Sequence, residues 1–400
     1  MKLHSGHPYW SAKDGGFGKI GMAAGALKTD VAVVGGGISG ALIASALLDA
    51  GIDTVLLDKR QFGLGSTCAS TALIQYEVDT PLWKLAGKIG TRQAVRSYRL
   101  CLAATKKLKY INNKLGNLCD FESIPSIQLA SRASHVNNLR HECRLRKSHG
   151  FAVQFLDKAE LLKRCNLNFP GALLSTCGAQ LDPLKLTYLL LKDSIRRGLR
   201  AFSPVCVKRV AQKRSGVVLY LGRHGTVEAK KVVFATGYEA QPYLKRQHCR
   251  LFNTYALVSQ PAVNLAGWYK RSLIWETARP YVYMRTTKDG RVIMGGEDEP
   301  FYNEPQRERR VSAKCRILER RFKKMFPDIP IVPDYAWSGT FAETKDGLAY
   351  IGENPDFPNA YFALGYGGNG ITYSVIASEI IVDLFLQRKN PDVGIFSFNR

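Results

Sequence analysis

An α/β fold is predicted by three stretches of the chain. The first, "DVAVVGGGISGALIASALLDAGIDTVLLDKR" (residues 30–60), passes from a short apolar strand through a glycine turn into an apolar helix, then into a second strand that ends at Asp58. The second, "KKVVFATGYE" (230–239), is another buried strand, broken at Ala235-Thr236-Gly237. The third, "RPYVYMRTTKDGRVIMGGEDE" (279–299), alternates as a β-hairpin does, with Asp289-Gly290 at its turn. Strand, glycine turn, helix, strand and acid in that order make a Rossmann-like dinucleotide unit. The hairpin implies a second unit with antiparallel strands.

Composition agrees with a globular protein. A chain of 400 residues usually holds two or three domains, and at 46% hydrophobic it can bury a full core. Val31 to Leu48 carries no charge, long enough for a membrane span, but three consecutive glycines in its middle favour the soluble reading. "KIGMAAGAL" near the start is too short and glycine-rich for a secretion signal. Nine scattered cysteines without a C-x-x-C fit a reducing cytoplasm, so cytoplasmic localisation is expected. His141 and Cys143 in "HECRLRKSH" lack the spacing of a metal helix and read as a solvated basic face; no metal is expected. The net charge of +24 is spread along the chain without a dense basic block. Its default reading is solubility. Nucleic acid is not expected, and weak peripheral membrane association is the partner reading that the charge leaves open.

Taken in order, each element has a physical task. Gly35 permits the tight turn, Gly37 lets a pyrophosphate approach the backbone, and Gly40 lets the helix pack on the strand. Ile38 and Ser39 open that helix, whose N-terminus offers free N–H groups and the positive end of a dipole. Asp58, followed by Lys59 and Arg60, can accept from a ribose. "FGLGSTCASTALIQYE" (62–77) brings hydroxyls for a second phosphate, though alone it reads as an ordinary polar loop; Gln75 and Tyr76 follow it. Thr236 and Gly237 end the middle strand, where a ligand can approach closely. Near the end, "ALGYGGNGIT" (363–372) puts Gly365, Gly367, Gly368 and Gly370 before the apolar helix "ITYSVIASEIIVDLFLQ". A turn before a core helix explains one or two of these glycines, not four.

These motifs, with "WSGTFAETKDGLAYIG" (337–352) ahead of the last, resemble the FAD-dependent oxidoreductases of the D-amino-acid oxidase and glycine oxidase superfamily, and among them bacterial members of unassigned substrate. The resemblance covers nearly the whole chain. It implies a Rossmann-like FAD-binding domain of the GR2 type, made of residues 1–90, 171–245 and 336–400. Interleaved with it would be an α+β substrate domain on a mixed sheet, residues 91–170 and 246–335. Non-covalent FAD would be held by Gly35, Gly37, Ile38, Ser39, Gly40, Asp58, Lys59 and Arg60. Ser66, Thr67, Ser70, Thr71, Leu73, Val207, Thr236, Gly237 and Gly339 would continue the site. Gly365, Gly367, Gly368, Asn369, Gly370, Ile371 and Thr372 would meet the pyrimidine edge of the flavin, where bare amides and a helix N-terminus stabilise negative charge.

The resemblance also implies a substrate pocket. Tyr281, Tyr283 and Arg285 fall on one face of the hairpin's first strand, which would lie over the flavin with Tyr281 holding the substrate. Trp337, Phe341 and Tyr366 would surround the ring, with Trp275 adding aromatic surface. The expected reaction is oxidation of a C–N bond in an amine or amino-acid-like small molecule, by hydride transfer to flavin N5 with no general base assigned. Oxygen, quinone or another acceptor would then take the electrons. The charge motivates two other readings: a dehydrogenase on a membrane face that reduces quinone, and an RNA-binding or RNA-modifying flavoprotein. One departure bears on substrate. Phe341 stands where the amino-acid-oxidising relatives have an arginine for the substrate carboxylate, and Gly368 where glycine oxidase has a second, so simple α-amino acids are expected to be poor substrates.

Overall fold

Two sheets organise the computed structural model, which describes residues 2–22, 24–261 and 264–400; position 23, inside "KIGMAAGAL", lies outside them. Among the described residues the first sheet has eight strands. Its parallel run is ordered Ala360–Leu364, Thr226–Phe234, Ala26–Val34, Thr54–Leu57, Arg200–Phe202. Val34 pairs with Phe234 on one side and Leu57 on the other, so the carboxyl ends of these strands share one edge. Val31, Ala32, Val33 and Val55 to Leu57 are fully buried, as expected of a parallel sheet covered on both faces. Helices Ile38–Asp49, Pro183–Arg196 and Gly370–Phe385 cover one face. Strand Gly216–Tyr220 and an aromatic cluster of Phe234, Phe362 and Phe398 cover the other. Helix Pro183–Arg196 starts where it does because Asp182 accepts from the amides of Leu184 (3.1 Å) and Lys185 (2.9 Å) and proline opens the first turn. The uncharged stretch from Val31 to Leu48 is strand, turn and helix, and no described helix is long and apolar enough to cross a membrane.

Among the described residues the second sheet has ten strands and is mixed: Leu273–Glu276 runs parallel to Glu122–Leu129, and the other pairings are antiparallel. The expected hairpin is present. Val282–Thr286 pairs with Val292–Pro300, and Gly290 at the turn has φ 80°. The basic helix Glu304–Met325 lies behind the sheet. It buries Leu318 and Phe322 among Tyr255, Met284 and Met294.

The sheets divide the chain differently from the sequence expectation. Gly171–Gln180, Pro333–Glu343, Leu73–Ile74 and the N-terminal His4–Gly6 were expected in the nucleotide unit, but they are strands of the mixed sheet. Helix Thr91–Lys114, expected in the substrate unit, packs on Gly370–Phe385 in the nucleotide core. Alternation marks a strand but not its partner; the pairing of Pro333–Glu343 along Arg250–Ser259 is a long-range fact.

Candidate active site

A cavity of about 780 Å³ runs from the carboxyl edge of the parallel sheet to the face of the mixed sheet. Its first end is the early glycine turn. A Cβ on Gly40 would stand 1.7 Å from the carbonyl oxygen of Gly35, so the helix rests directly on the turn; Gly40 supports the site from beneath and does not border it. Gly35, Gly37, Ile38 and Ser39 border the cavity. The Ile38 amide donates to Thr67 Oγ1 (3.0 Å), and the hydroxyls of Ser39 and Ser374 meet at 2.7 Å, joining the first helix to the last. Asp58 borders the cavity but also accepts from Gly36 N of the glycine turn and from Arg60 N of its own loop, each at 2.7 Å. Burial raises its pKa, and those two amides pull it back. Lys59 and Arg60 border the same end and pair with Glu239 at 2.7 and 2.9 Å.

Ser66, Thr67, Ser70, Thr71 and Leu73 line the middle, with Val207, Thr236, Gly237 and Gly339. Among the described residues the buried Thr236 hydroxyl has no hydrogen-bond partner. At the far end lie Gly365, Gly367, Gly368 and Asn369, then Gly370, Ile371 and Thr372 in the first turn of the last helix. First-turn amides have no acceptor within a helix. The group that comes closest to the late loop is the Asp79 carboxylate: Gly368 N donates to its Oδ2 (2.8 Å), and a Cβ on Gly367 would lie 2.0 Å from that oxygen. Asn369 fixes the loop by donating to the Glu77 carbonyl (2.8 Å). An orphan hydroxyl in the middle, open amides at one helix start and a glycine cradle at the other fit an elongated dinucleotide.

The mixed sheet supplies the pocket wall. Tyr281, Tyr283, Phe341, Tyr366, Trp275 and Gln75 all border the cavity. The Tyr281 and Tyr283 rings are 5.5 Å apart, and Tyr283 OH meets Thr254 Oγ1 at 2.9 Å. The structure does not bring two expected pocket residues to the cavity. Arg285 shares the strand face of both tyrosines but lies farther along it, 2% exposed. It donates to the carbonyls of Thr71 (2.6 Å) and Leu181 (3.0 Å), so it ties loop to sheet; burial lowers its pKa to about 10. Trp337 shares a face with Gly339 and Phe341, but it is buried with its indole N–H on the Ala69 carbonyl (2.9 Å). Each two-residue step along a strand moves a side chain by about 7 Å, and both residues lie one step too far. Tyr76 turns away and stacks on Phe151 at 5.3 Å.

Sequence reasoning missed the charged groups of the pocket. Arg279 is exposed at the rim, with its guanidinium 4.5 Å from the Tyr281 ring. Arg146 is buried between Glu142 (2.6 Å) and Glu77 (3.3 Å), and Glu142 also accepts from the amides of Leu82 and Trp83. Asp298 reaches the cavity through a β-bulge. Asn253 pairs with Glu299 but Tyr255 pairs with Gly296, and the extra residue leaves Glu297 at φ 57°. Among the described residues the buried Asp298 Oδ1 has no hydrogen-bond partner, and desolvation raises the pKa of the acid to about 7. "GGEDE" gives no local sign of this, because the bulge exists only in the paired strand.

Comparison with known proteins gives a consistent family. Residues 30–384 match the family described as FAD dependent oxidoreductase. Glycine oxidase of Geobacillus kaustophilus is 26% identical over 384 residues, 93% of this chain and 97% of that protein. Gamma-glutamylputrescine oxidoreductase of Escherichia coli is 24% identical over 367 residues, 89% of this chain and 83% of that protein. The crystal structure of the Geobacillus glycine oxidase superposes with a TM-score of 0.79 at 22% identity, covering 94% of this chain and 99% of that one. The L-proline dehydrogenase of P. horikoshii superposes with a TM-score of 0.78 at 19% identity, covering 93% and 97%.

Proposed function

Because the chain belongs to the FAD dependent oxidoreductase family, we propose that it oxidises a C–N bond of a small amine or amino-acid-like substrate. The observation that carries this reading is a cavity that joins two glycine cradles to an aromatic pocket. Two relatives named for glycine and gamma-glutamylputrescine point to the same bond type. FAD, when bound, supplies the acceptor for the hydride that leaves the substrate carbon. The chain's residues act by position and charge. Tyr281, Tyr283, Phe341 and Trp275 exclude water and orient an apolar arm. The amides of Gly370, Ile371 and Thr372 and the positive end of their helix stabilise negative charge at the far end of the cavity. The nitrogen beside the reacting carbon must be neutral for its lone pair to expel the hydride, and no residue is assigned as a general base.

Anaerobic mixing of the FAD-loaded protein with amines, amino acids and hydroxy acids tests this. Amines should bleach the flavin; bleaching by hydroxy acids alone would overturn the C–N assignment. Glycine, sarcosine and D-alanine should react more slowly than longer amines, because Phe341 and Gly368 offer the substrate carboxylate no guanidinium. Fast reaction of these small amino acids, lost in Arg279→Ala, would place the carboxylate on the rim arginine instead. Reoxidation by oxygen and by a quinone, compared side by side, identifies the acceptor. FAD should be released into solution by acid precipitation. Cys206 borders the cavity, so colour retained in the pellet would identify a covalent attachment.

A further inference from the structure

Resting on the amine reading above, we infer that Asp298 anchors a second, charged nitrogen of the substrate, so that the enzyme selects diamine-type molecules over monoamines and simple amino acids. The inference starts from three consecutive acids. The helix Glu304–Met325 supplies cations to the outer two: Arg321 pairs with Glu297 at 2.6 Å and Arg310 with Glu299 at 2.5 Å. Lys314 stands 3.6 and 3.7 Å from the same two carboxylates. The middle acid, Asp298, is turned the other way by the bulge and borders the cavity. Among the described residues it forms no ion pair, and its Oδ1 is buried with no hydrogen-bond partner.

A desolvated carboxylate left unpaired costs stability, and a ligand cation removes that cost. The groups facing Asp298 leave room for one. The Thr254 hydroxyl, on the neighbouring strand, is a hydrogen-bonding neighbour of the carboxylate and lowers its pKa, but it carries no charge. Arg279 pulls the pKa of Asp298 down from the rim without pairing with it, whereas Asp79 and Glu343 push it up. Tyr281 and Tyr283 are kept neutral, their phenol pKa values raised by burial and then by nearby carboxylates. With its own pKa raised to about 7, Asp298 is a far weaker base than an alkylamine of pKa ~10, so in an ion pair the proton stays on nitrogen. The nitrogen held by Asp298 therefore remains an ammonium, while the nitrogen beside the reacting carbon must be neutral. Those two requirements need two nitrogens.

The test uses the FAD-loaded protein and a cation that cannot react. In tert-butylammonium the carbon beside nitrogen bears no hydrogen, and tert-butanol is its neutral counterpart. Binding is read by calorimetry and by the shift of the visible flavin spectrum. The ammonium should bind at least tenfold more tightly than the alcohol. Asp298→Asn should lose that preference while keeping its affinity for the alcohol. In the unmodified protein the ammonium should bind about tenfold more tightly at pH 8 than at pH 6 and displace a proton at pH 6, a result that needs no variant. Straight-chain diamines should show a lower KM than monoamines of equal length, and Asp298→Asn should remove the difference. Equal binding of ammonium and alcohol, or an unchanged preference in Asp298→Asn, would overturn the inference even if amines are oxidised. If no amine bleaches the flavin but the ammonium still binds through Asp298, the reaction assignment fails and the cation site stands.

Discussion

Arg146, fully buried between Glu142 and Glu77, holds two carboxylates in the interior with one guanidinium. Arg146→Met leaves both without a cation and should cost on the order of 3–5 kcal/mol, read as a lower midpoint in urea unfolding. Asp298 has the opposite character, a half-buried carboxylate that pairs with no cation among the described residues. Its folded pKa of about 7 lies above the ordinary 3.8, so the native state binds the proton more tightly than the unfolded chain does. Stability from this group is greatest below pH 4, falls as pH rises toward 7 and is level above. Asparagine does not titrate. The Tm of Asp298→Asn should therefore exceed that of the unmodified protein by more at pH 8 than at pH 5, with the gain bounded by about 4 kcal/mol. A residue that destabilises the fold where a ligand is expected to bind fits a functional role better than a structural one.

At the scale of elements, the two glycine cradles make different demands. The early turn and its helix meet backbone to backbone: the oxygen that a Gly40 side chain would strike belongs to Gly35, whose own N–H donates to the Leu57 carbonyl (2.8 Å) and holds it in place. The late loop meets a side chain, the Asp79 carboxylate, which can rotate. Gly40→Ala should displace the helix and abolish FAD uptake. Gly367→Ala should keep the FAD and weaken its affinity, because its neighbour can yield, although φ 52° at that position strains any other residue. Visible absorbance of the purified variants, before and after added FAD, separates the two outcomes; retention of normal FAD content by Gly40→Ala would contradict the close-packing argument.

For the whole molecule, the open quantity is the charge of +24. Only a small part of it lies inside the fold. The basic helix behind the mixed sheet places Arg307 in the interior, donating to Ser5 (3.0 Å) and Thr340 (2.6 Å), and turns Arg310, Lys314 and Arg321 toward Glu297 and Glu299. A membrane-face role resting on this charge would be electrostatic. Binding to vesicles with anionic lipid should be weak and fall steeply between low and physiological salt. Tight binding that survives salt would show that apolar contact, not charge, holds the protein to lipid.

The sequence by itself determined the elements whose chemistry is local. A tight turn needs Gly35, close helix packing needs Gly40, a hairpin turn suits Asp289-Gly290, and an apolar run after four glycines makes a buried helix. The early turn and the late glycines mark the two ends of the cavity, and the family follows from the order of these motifs. Tertiary structure decided what depends on pairing between distant segments. Strands Gly171–Gln180 and Pro333–Glu343 carry no local mark of their sheet, and only their partners assign them to the mixed one. Arg285 and Trp337 share a face with pocket residues, but their height along the strand places them beyond the cavity. Asp298 turns inward because one extra residue is accommodated opposite Thr254, a property of two strands in register that neither strand's sequence contains.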